Sequence, residues 1–385
     1  MDDLLKLSAE LSDTERLLQQ TLARYVDEEV IPLMPQAFED AIFPTQFVEQ
    51  TAKLGLLGMT LPAEYGGAEA SYVAYGLACQ ELERGDSGLR SFVSVQSSLC
   101  MYPIFTYGDD AIKKRFLPKM AAGELIGCFG LTEADGGSDP ANMRTVAKKV
   151  DGGWCLNGSK MWITNASVAD LAVVWANTDE GIRGFVVEKD FAGFTQQAIH
   201  QKMSLRASVT GELSFQDVFV PDANYLPGSD RGLSAPLGCL TQARYGIAWG
   251  AIGAAIACYD IAVDYVNQRQ LFGKSVSSFQ LIQADLAEMY SEILKSQCLN
   301  LQVGRLKDTG KADFNMVSLA KRNACRVALS VARTARQLLG GNGISLEYHV
   351  IRHMLNLESV STYEGTDNIH SLILGRHITG VNAFF

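Results

Sequence analysis

The sequence has no excess of basic residues, no long apolar run and no familiar nucleotide-binding loop, and each absence argues against a class of protein. With 33 Lys and Arg against 43 Asp and Glu, its formal charge of −10 argues against a nucleic-acid partner, which requires a basic face. No Gly-x-Gly-x-x-Gly or Walker A loop follows a predicted strand, which argues against Rossmann and P-loop sites. No apolar run approaches membrane-spanning length, so we expect no stable membrane insertion.

The eight cysteines are scattered, without a Cys-x-x-Cys pair, and we interpret them as buried thiols in a reducing compartment. His349 and His353 are four residues apart but lack the acidic residue of a zinc motif, so we predict no metal site. Met1-Asp2-Asp3-Leu4 is acidic and carries no recognisable signal. We therefore expect a cytoplasmic protein, or a mitochondrial matrix protein if a transit peptide has been removed.

The hydrophobic pattern changes twice along the 385 residues, which predicts three domains. Residues 1–125 show helical periodicity, residues 126–230 contain short alternating runs separated by turn signals, and residues 231–385 show long helical periodicity. We predict an α+β multidomain fold with an N-terminal α-helical domain, a middle β-barrel domain and a C-terminal four-helix bundle. Within the middle domain, Asp151-Gly152-Gly153 and Asn157-Gly158 each predict a β-hairpin turn.

One carboxylate near the C-terminus stands at a position suited to acid–base chemistry. Glu364 directly precedes Gly365, which permits a sharp turn and the close approach of another molecule. Apolar residues recur at helical spacing from Ile369 to Ile378, which predicts that Glu364 lies at the start of a buried helix. Partial burial would raise its pKa towards that of a general base. The alternative is a charge that only interacts with the helix dipole.

Four further segments combine ligand-binding groups, and each has an ordinary structural alternative. Residues 129–139 offer hydroxyls, carboxylates and accessible backbone, and either bind a planar ligand or form a linker. The indole of Trp162 either stacks on a cofactor or packs in the core. Gly340 and Gly341 either cap a helix or cradle a pyrophosphate. Arg90 is either a surface charge or a fork for a carboxylate.

Together, and in order along nearly the whole chain, these segments resemble the acyl-CoA dehydrogenase family. The stretches that carry the resemblance are Phe129–Asp139, Trp162–Thr164, Arg269–Gly273, Gln337–Gly341 and Tyr363–Thr366. Through Ser94–Ser98, Ala243–Gly250 and Glu347–His353, the chain looks most like members of the family that oxidise glutaryl-CoA. The resemblance implies the acyl-CoA dehydrogenase fold, FAD as cofactor, and a homotetramer with FAD at its subunit contacts.

The resemblance also implies a set of cofactor residues. The flavin ring and ribityl chain would contact Phe129, Leu131, Thr132, Gly137, Ser138, Trp162, Ile163 and Thr164. The ADP half would contact, at a subunit boundary, Arg269, Phe272, Gln280, Gln337, Leu338, Leu339, Gly340 and Gly341. Thr366, Asp367 and Asn368 would complete the site, although closer relatives more often have Thr-His-Asp there.

A second set of residues would contact the acyl-CoA substrate, and the resemblance implies what they do. These residues are Arg90, Ser91, Ser94, Ser138, Leu237, Leu240, Thr241, Arg244, Gly365 and Phe384. Glu364 would remove the α-proton while FAD accepts the β-hydrogen as hydride, and Arg90 would bind the distal carboxylate of a five-carbon diacid. Tyr363, where non-decarboxylating relatives have valine, predicts loss of carbon dioxide and formation of crotonyl-CoA. Electrons would pass to an electron-transfer flavoprotein.

Four other functions remain compatible with these residues. A dehydrogenase for short monocarboxylic acyl-CoA would make Arg90 a structural charge, and a glutaryl-CoA dehydrogenase without decarboxylation would stop at glutaconyl-CoA. An acyl-CoA oxidase would reduce oxygen directly. A flavin-binding relative without dehydrogenase activity, including a DNA-associated type, is the fourth, and the retained Glu364 and the acidic net charge argue against it.

Overall fold

The computed structural model describes residues 1–384, and the part before the first strand is helical. Its α-helices are α1 Asp13–Tyr25, α2 Met34–Asp40, α3 Gln46–Lys53, α4 Tyr72–Gly85, α5 Ser87–Ser94, α6 Tyr102–Tyr107 and α7 Asp110–Ala121. Helix α1 begins with a capping box, in which the Ser12 hydroxyl accepts from the backbone N–H of Glu15 and the Glu15 carboxylate accepts from that of Ser12. Helix α5 continues through a π-helical stretch, Val95–Met101, into α6.

The middle region folds into one curled sheet of seven strands. They are β1 Gly127–Gly130, β2 Val146–Val150, β3 Gly153–Thr164, β4 Leu171–Thr178, β5 Gly181–Glu188, β6 Phe194–Ala198 and β7 Thr210–Pro221. The strand order is β1-β4-β2-β3-β7-β6, and β5 pairs with β4. Among the described residues, β1 and β6 do not pair, so the predicted β domain is a curled sheet around its own apolar cluster, which includes Leu156, Val174 and Leu213.

The helices after the sheet pack as a bundle. They are α8 Ser234–Gln268, α9 Gln280–Asp308, α10 Phe314–Leu338, α11 Val350–Thr362 and α12 Asp367–Thr379, with a hairpin of β8 Gln270–Leu271 and β9 Lys274–Ser275 between α8 and α9. Helices α8 to α11 form the predicted four-helix bundle, and α12 packs on α10. The prediction of a buried helix behind Glu364 is wrong for most of α12. Helix α10 covers only one side of α12, and the other side is accessible to solvent. His370 is buried, whereas Ile378 is 80% exposed.

Helix α8 is the most apolar helix of the bundle and packs along α4. Glycines on α8 allow this contact, since a Cβ at Gly253 would clash with the carbonyl of Gln80 on α4. By length and composition α8 could cross a membrane, so the expectation that no apolar run approaches this length is wrong. However, 67% of its most apolar window is buried inside the protein, as expected of a core helix.

The apolar cores do not follow the domain boundaries that the sequence predicts. One cluster joins α1–α5 to α8–α11, and a second joins α6, α7, strands β1, β4 and β5 and the start of α8. The boundaries near residues 125 and 230 therefore stay predictions. Both clusters bring the N-terminal helices against the C-terminal ones, where the candidate site lies.

One of the two predicted hairpin turns is wrong. The turn at Asp151-Gly152-Gly153 connects β2 and β3, with Gly152 at φ 72°. Asn157-Gly158 lies instead inside β3, where the pairing with β7 shifts register. The Asn157 side chain accepts from the backbone N–H of Asp217 at 3.0 Å, and a Cβ at residue 158 would lie 2.6 Å from the Thr145 hydroxyl. Asn157 and Gly158 therefore form a β-bulge. Asn and Gly are as well suited to a bulge as to a turn.

A buried ion pair joins α5 to α11. Asp86 caps α5 by accepting from the backbone N–H of Gly88 at 2.6 Å. The other oxygen of Asp86 accepts from Arg352 and Asn356 on α11, the latter at 3.0 Å. Both side chains of the Asp86–Arg352 pair are 1% exposed or less. The pair fixes the helix that carries Arg90 relative to the helix that leads to Glu364.

Replacing Asp86 with alanine should lower the free energy of unfolding by roughly 3–5 kcal/mol, because Arg352 stays buried without its counter-charge. Denaturant unfolding followed by circular dichroism measures this loss. The matched control is Arg333→Ala, which breaks the exposed Arg333–Glu358 pair and should cost about 1 kcal/mol or less. An equal loss of unfolding free energy in the two variants would contradict the claim that burial makes the Asp86–Arg352 pair costly to break.

Candidate active site

Glu364 lies in the turn between α11 and α12. Two buried cations donate hydrogen bonds to the carbonyl groups of this turn. Its φ of 53° is a left-handed conformation, which is uncommon for a residue with a side chain. Nε of Arg244, on α8, donates to the carbonyl of Glu364 at 2.7 Å. Nζ of Lys321, on α10, donates to the carbonyls of Tyr363 and Gly365 at 3.1 and 2.7 Å. Elements far apart in the sequence therefore fix this turn.

Gly365 is required by the crowding on the inner side of the turn. Its φ is 99°, and a Cβ there would lie 3.0 Å from Nε2 of His370 and 3.2 Å from Nη2 of Arg244. Any side chain would strain the backbone and push on both groups. His370 is fully buried, and neither of its ring nitrogens has a hydrogen-bond partner within residues 1–384.

The carboxyl group of Glu364 is desolvated. The residue as a whole is half-buried, but its Oε2 is inaccessible to solvent and has no hydrogen-bond partner in the described chain. Burial raises the pKa of Glu364 to about 7, although the charges of Arg90, Arg244 and Lys321 act in the opposite direction. A carboxyl group with a pKa near neutrality can both take up and return a proton. The geometry thus matches a general base better than a simple helix-end charge.

Helix α5 places Arg90 beside this carboxyl group. Nε of Arg90 donates to Oε2 of Glu83 at 2.5 Å, and the two side chains are 1% and 0% exposed. One Nη donates to the hydroxyl of Tyr363. Burial alone would lower the pKa of Arg90, but the carboxylate of Glu83 holds it well above its ordinary value. Arg90 is therefore a buried, permanently charged group and not a surface charge.

The same face of α5 has hydrogen-bonding groups left over. Within the described residues, Arg90 uses two of the five N–H groups of its guanidinium. The Ser94 hydroxyl, one turn further along α5, is buried without a partner in residues 1–384. The Ser91 hydroxyl lies 3.3 Å from that of Tyr363. This face can accept one more anionic oxygen.

Most other predicted substrate residues lie on α8. They recur at helical spacing as Leu237, Leu240, Thr241 and Arg244 and so share one face of the helix. The last of them, Arg244, donates to the carbonyl of Glu364. Ser138 is exposed in the loop after β1. Phe384 does not join this group among the described residues: it is 40% exposed in the C-terminal tail, where its backbone N–H bonds to Asn382.

The two segments predicted to hold the flavin ring meet at the edge of the sheet. The backbone N–H of Met161 donates to the carbonyl of Thr132 at 2.9 Å. Trp162 beside it has a φ of 62° and is 57% exposed. Thr132 and Thr164 are half-buried, and Ser138 is exposed. An exposed indole in a region with hydroxyl side chains fits a flat ring with polar edges.

The remaining residues that the sequence predicts to contact the flavin differ in their exposure. Phe129, Leu131 and Ile163 are buried in the apolar clusters, and Gly137 is exposed. Nζ of Lys160, buried under this loop, donates to the carbonyl of Leu131 and to the carboxylate of Glu133 at 3.1 and 2.8 Å. Burial would raise the pKa of Glu133, but hydrogen bonds from Lys160, Arg144 and Thr145 together lower it to about 2.

The residues predicted to hold the ADP half lie in two places on this chain. Arg269, Phe272 and Gln280 lie around the β8–β9 hairpin, and Phe272 at its tip is 92% exposed. Gln337, Leu338, Leu339, Gly340 and Gly341 lie at the C-terminal end of α10, where Leu339 is buried. No hydrogen bond joins the two places within residues 1–384. Their joint role at a subunit contact stays a prediction.

The three residues after Gly365 begin α12. The Thr366 hydroxyl caps the helix by accepting from the backbone N–H of Ile369 at 3.4 Å. Both carboxylate oxygens of Asp367 accept from Arg326, at 2.6 and 2.7 Å, and Asn368 is exposed. Asp367 therefore has a structural partner already, whereas Asn368 is open to a ligand.

Three domain models of one family match nearly all of the chain. The N-terminal domain of acyl-CoA dehydrogenase matches residues 12–124, the middle domain residues 128–218 and the C-terminal domain residues 230–379. The chain belongs to the acyl-CoA dehydrogenase family. This membership confirms the predicted fold, the prediction of an FAD-dependent enzyme that dehydrogenates acyl-CoA, and FAD as the cofactor.

Individual relatives of this dehydrogenase cover almost its whole length. A crystal structure of glutaryl-CoA dehydrogenase from Mycobacterium smegmatis is 52% identical, with a TM-score of 0.98, and covers 100% of this chain and 99% of its own. A second, in complex with FADH2, is 48% identical with the same TM-score and coverage. The human mitochondrial short-chain specific acyl-CoA dehydrogenase is 34% identical over 376 residues, which are 96% of this chain and 91% of that protein.

Two residues of this dehydrogenase's site, Glu83 and Lys321, were missed as functional candidates. Glu83 lies in α4, a helix that is buried along almost its whole length, and a lone carboxylate there requires a partner. Lys321 lies on the buried face of α10, between Val317 and Cys325 at helical spacing. In both cases the sequence shows a charged residue among apolar positions of a helix. It does not show which residue forms the ion pair or hydrogen bond with that charge.

The kcat/KM of this dehydrogenase should rise with pH through an acid limb near pH 7, because only the ionised form of Glu364 accepts a proton. Glu364→Gln should keep bound FAD and lose most turnover, since an amide has the same shape but takes up no proton. Folding raises the pKa of Glu364 from 4.5 to about 7, so proton binding by Glu364 contributes to the free energy of unfolding. This contribution is fully present below pH 4.5 and is lost as the pH rises to 7. The wild type should therefore lose stability relative to Glu364→Gln across this interval.

Steady-state profiles from pH 5 to 9 and denaturant titrations at both ends of that range measure the two effects. An acid limb that persists in Glu364→Gln at near wild-type rate would assign the base to another group.

Proposed function

We propose that this dehydrogenase oxidises glutaryl-CoA at the α,β position and decarboxylates the intermediate to crotonyl-CoA and carbon dioxide. The observation that carries the proposal is the fully buried Arg90 beside Glu364, with guanidinium N–H groups left without partners in the described chain. The M. smegmatis glutaryl-CoA dehydrogenases, at 48% and 52% identity, support it. A charge-assisted hydrogen bond from Arg90 suits a carboxylate at the far end of the acyl chain.

The balance of buried charge favours a dicarboxylic substrate. Arg90, Arg244 and Lys321 are positive, whereas Glu83 and the ionised Glu364 are negative. Three positive charges against two negative charges leave an excess of one in a desolvated site. The distal carboxylate of glutaryl-CoA would neutralise this excess, which a monocarboxylic thioester cannot do.

Each step of the proposed reaction uses a group whose surroundings suit it. Trp162 and the hydroxyls of Thr132 and Thr164 would hold FAD, which when bound accepts the hydride from the β-carbon. Glu364 takes the α-proton. The backbone N–H of Glu364 donates to no acceptor within the described residues, so it can bind the thioester oxygen as negative charge develops there.

The second step reuses Glu364. Loss of carbon dioxide leaves its electron pair in the acyl chain as a dienolate, and the protonated Glu364 returns its proton to the γ-carbon. Tyr363 assists by holding one Nη of Arg90, which leaves Arg90 less able to grip the distal carboxylate as a flat bidentate pair. A looser pair makes the carboxylate a better leaving group.

A dehydrogenase for short monocarboxylic acyl-CoA is the second candidate. The Arg90–Glu83 pair is already neutral by itself, which favours this candidate, and the human short-chain enzyme is 34% identical. In either case we propose that electrons pass to an electron-transfer flavoprotein. We also propose a homotetramer, because Phe272 and Leu281 are 92% and 81% exposed near the β8–β9 hairpin and require cover.

Arg90→Met should lower kcat/KM for glutaryl-CoA about 10- to 150-fold more than for butyryl-CoA. This range corresponds to the roughly 1.5–3 kcal/mol of a hydrogen bond to a charged group, which only the diacid makes. Initial rates with both thioesters measure the difference. The double variant Glu83→Gln/Arg90→Met is the control, because it leaves no orphaned carboxylate. An equal fall for both substrates would make Arg90 structural and favour the short-chain enzyme.

The wild type should convert glutaryl-CoA to crotonyl-CoA and carbon dioxide, and Tyr363→Val should release more glutaconyl-CoA. The reason is that valine neither holds Arg90 nor fills the space beside the carboxylate. Mass spectrometry of the thioester products decides the outcome, and Tyr363→Phe separates the effect of the hydroxyl from that of the ring. Glutaconyl-CoA as the main wild-type product would refute decarboxylation, and unchanged products in Tyr363→Val would remove Tyr363 from it.

A further inference from the structure

Lys321 is a buried cation whose hydrogen bonds all go to one short segment. It is 1% exposed on α10, and Nζ donates to the carbonyls of Ser361, Tyr363 and Gly365 at 3.4, 3.1 and 2.7 Å. Two of these carbonyls flank Glu364 on either side. Since a lysine ammonium has three N–H groups, its donors are all used for this segment.

Within this segment, the helical hydrogen bonds of α11 end with the backbone N–H of Tyr363, which donates to the carbonyl of Ser359 at 2.9 Å. Glu364 and Gly365 are consecutive residues with φ values of 53° and 99°, and neither backbone N–H donates to an acceptor among the described residues. A left-handed residue with a side chain costs of order 1–3 kcal/mol and persists only where its surroundings enforce it. Here the enforcing groups are Lys321 and Arg244, which together bind three consecutive carbonyls.

We propose that Lys321 is the positioning residue of the catalytic turn: by binding the carbonyls before and after Glu364, its ammonium holds the carboxyl group in place for proton transfer. Lys321 acts through Glu364 and contacts no reacting atom. The inference rests on Glu364 being the base, as in the proposed function. Its charge has a second effect, because it favours the ionised form of Glu364.

The test uses the FAD-loaded enzyme and the variant Lys321→Met, which keeps the length of the side chain and removes its donors and charge. FAD reduction by glutaryl-CoA should slow about 10- to 100-fold, since small misplacements of a catalytic group have effects of this size. The KM should change less than about threefold, because Arg90 and α8 still bind the substrate. The acid limb of kcat/KM should move to higher pH, because a positive charge near Glu364 is lost.

Two further variants separate positioning from charge and from general stability. Lys321→Arg keeps the charge, but a planar guanidinium cannot direct its N–H groups to three carbonyls around one nitrogen. It should therefore slow FAD reduction while the acid limb stays in place. Lys202→Met is the matched control, since Nζ of Lys202 also donates to three oxygens, those of Leu205, Ser208 and Thr210. It should cost stability without moving the acid limb.

Two results would overturn the inference. The first is a Lys321→Met enzyme with bound FAD, a reduction rate within about twofold of wild type and an unmoved acid limb. The second is loss of FAD or of the fold in both Lys321 variants, which would make Lys321 a support of the whole domain. Glu364→Gln separates this failure from that of the proposed function: if it stays active, the base assignment fails, and if it is inactive while Lys321→Met is normal, only the positioning role fails.

Discussion

The Arg90–Glu83 ion pair is buried where α4, α5 and α8 meet, and the arrangement of the site depends on it. A guanidinium with 1% exposure is tolerated only next to a counter-charge, and Glu83 supplies it at 2.5 Å. Gly250 on α8 makes the space for the pair, since a Cβ there would clash with the Glu83 carboxylate. Because Glu83 balances its charge, Arg90 can lie next to Tyr363 and Glu364 without forming an ion pair with the Glu364 carboxylate.

Burial and nearby cations act in opposite directions on Glu364, and their balance sets its chemistry. Burial alone would hold the carboxyl protonated, while Arg90, Arg244 and Lys321 favour the ionised form. The outcome is a pKa of about 7, at which a carboxyl group can both take up and release a proton near neutral pH. Two of these cations also bind the carbonyls of the turn, so the same groups tune the base and hold it in position.

This arrangement explains why the apolar cores cross the predicted domain boundaries. Arg90 belongs to the N-terminal helices, whereas Arg244, Lys321 and Glu364 belong to three elements of the C-terminal bundle. A site assembled from such distant elements keeps its geometry only if their packing is rigid. The shared apolar cluster and the buried Asp86–Arg352 pair supply that rigidity at the junction of α5 and α11.

Local sequence was sufficient for the helical and β regions, for the β2–β3 turn and for Glu364 as a candidate base, because periodicity, turn residues and an isolated carboxylate are local properties. The family motifs added the cofactor, which the family membership confirms, and the prediction that Arg90 binds a distal carboxylate, which stays a prediction. The sequence did not determine that Asn157-Gly158 is a bulge, since a turn and a bulge favour the same two residues and the pairing strand decides between them. It also did not show that Glu83 balances Arg90, or that Lys321 binds the carbonyls beside Glu364. Those contacts join residues 7, 42 and 44 positions apart. Only the packing of α4, α5 and α10 decides which buried charge meets which partner, because desolvation makes each charge require one without specifying it.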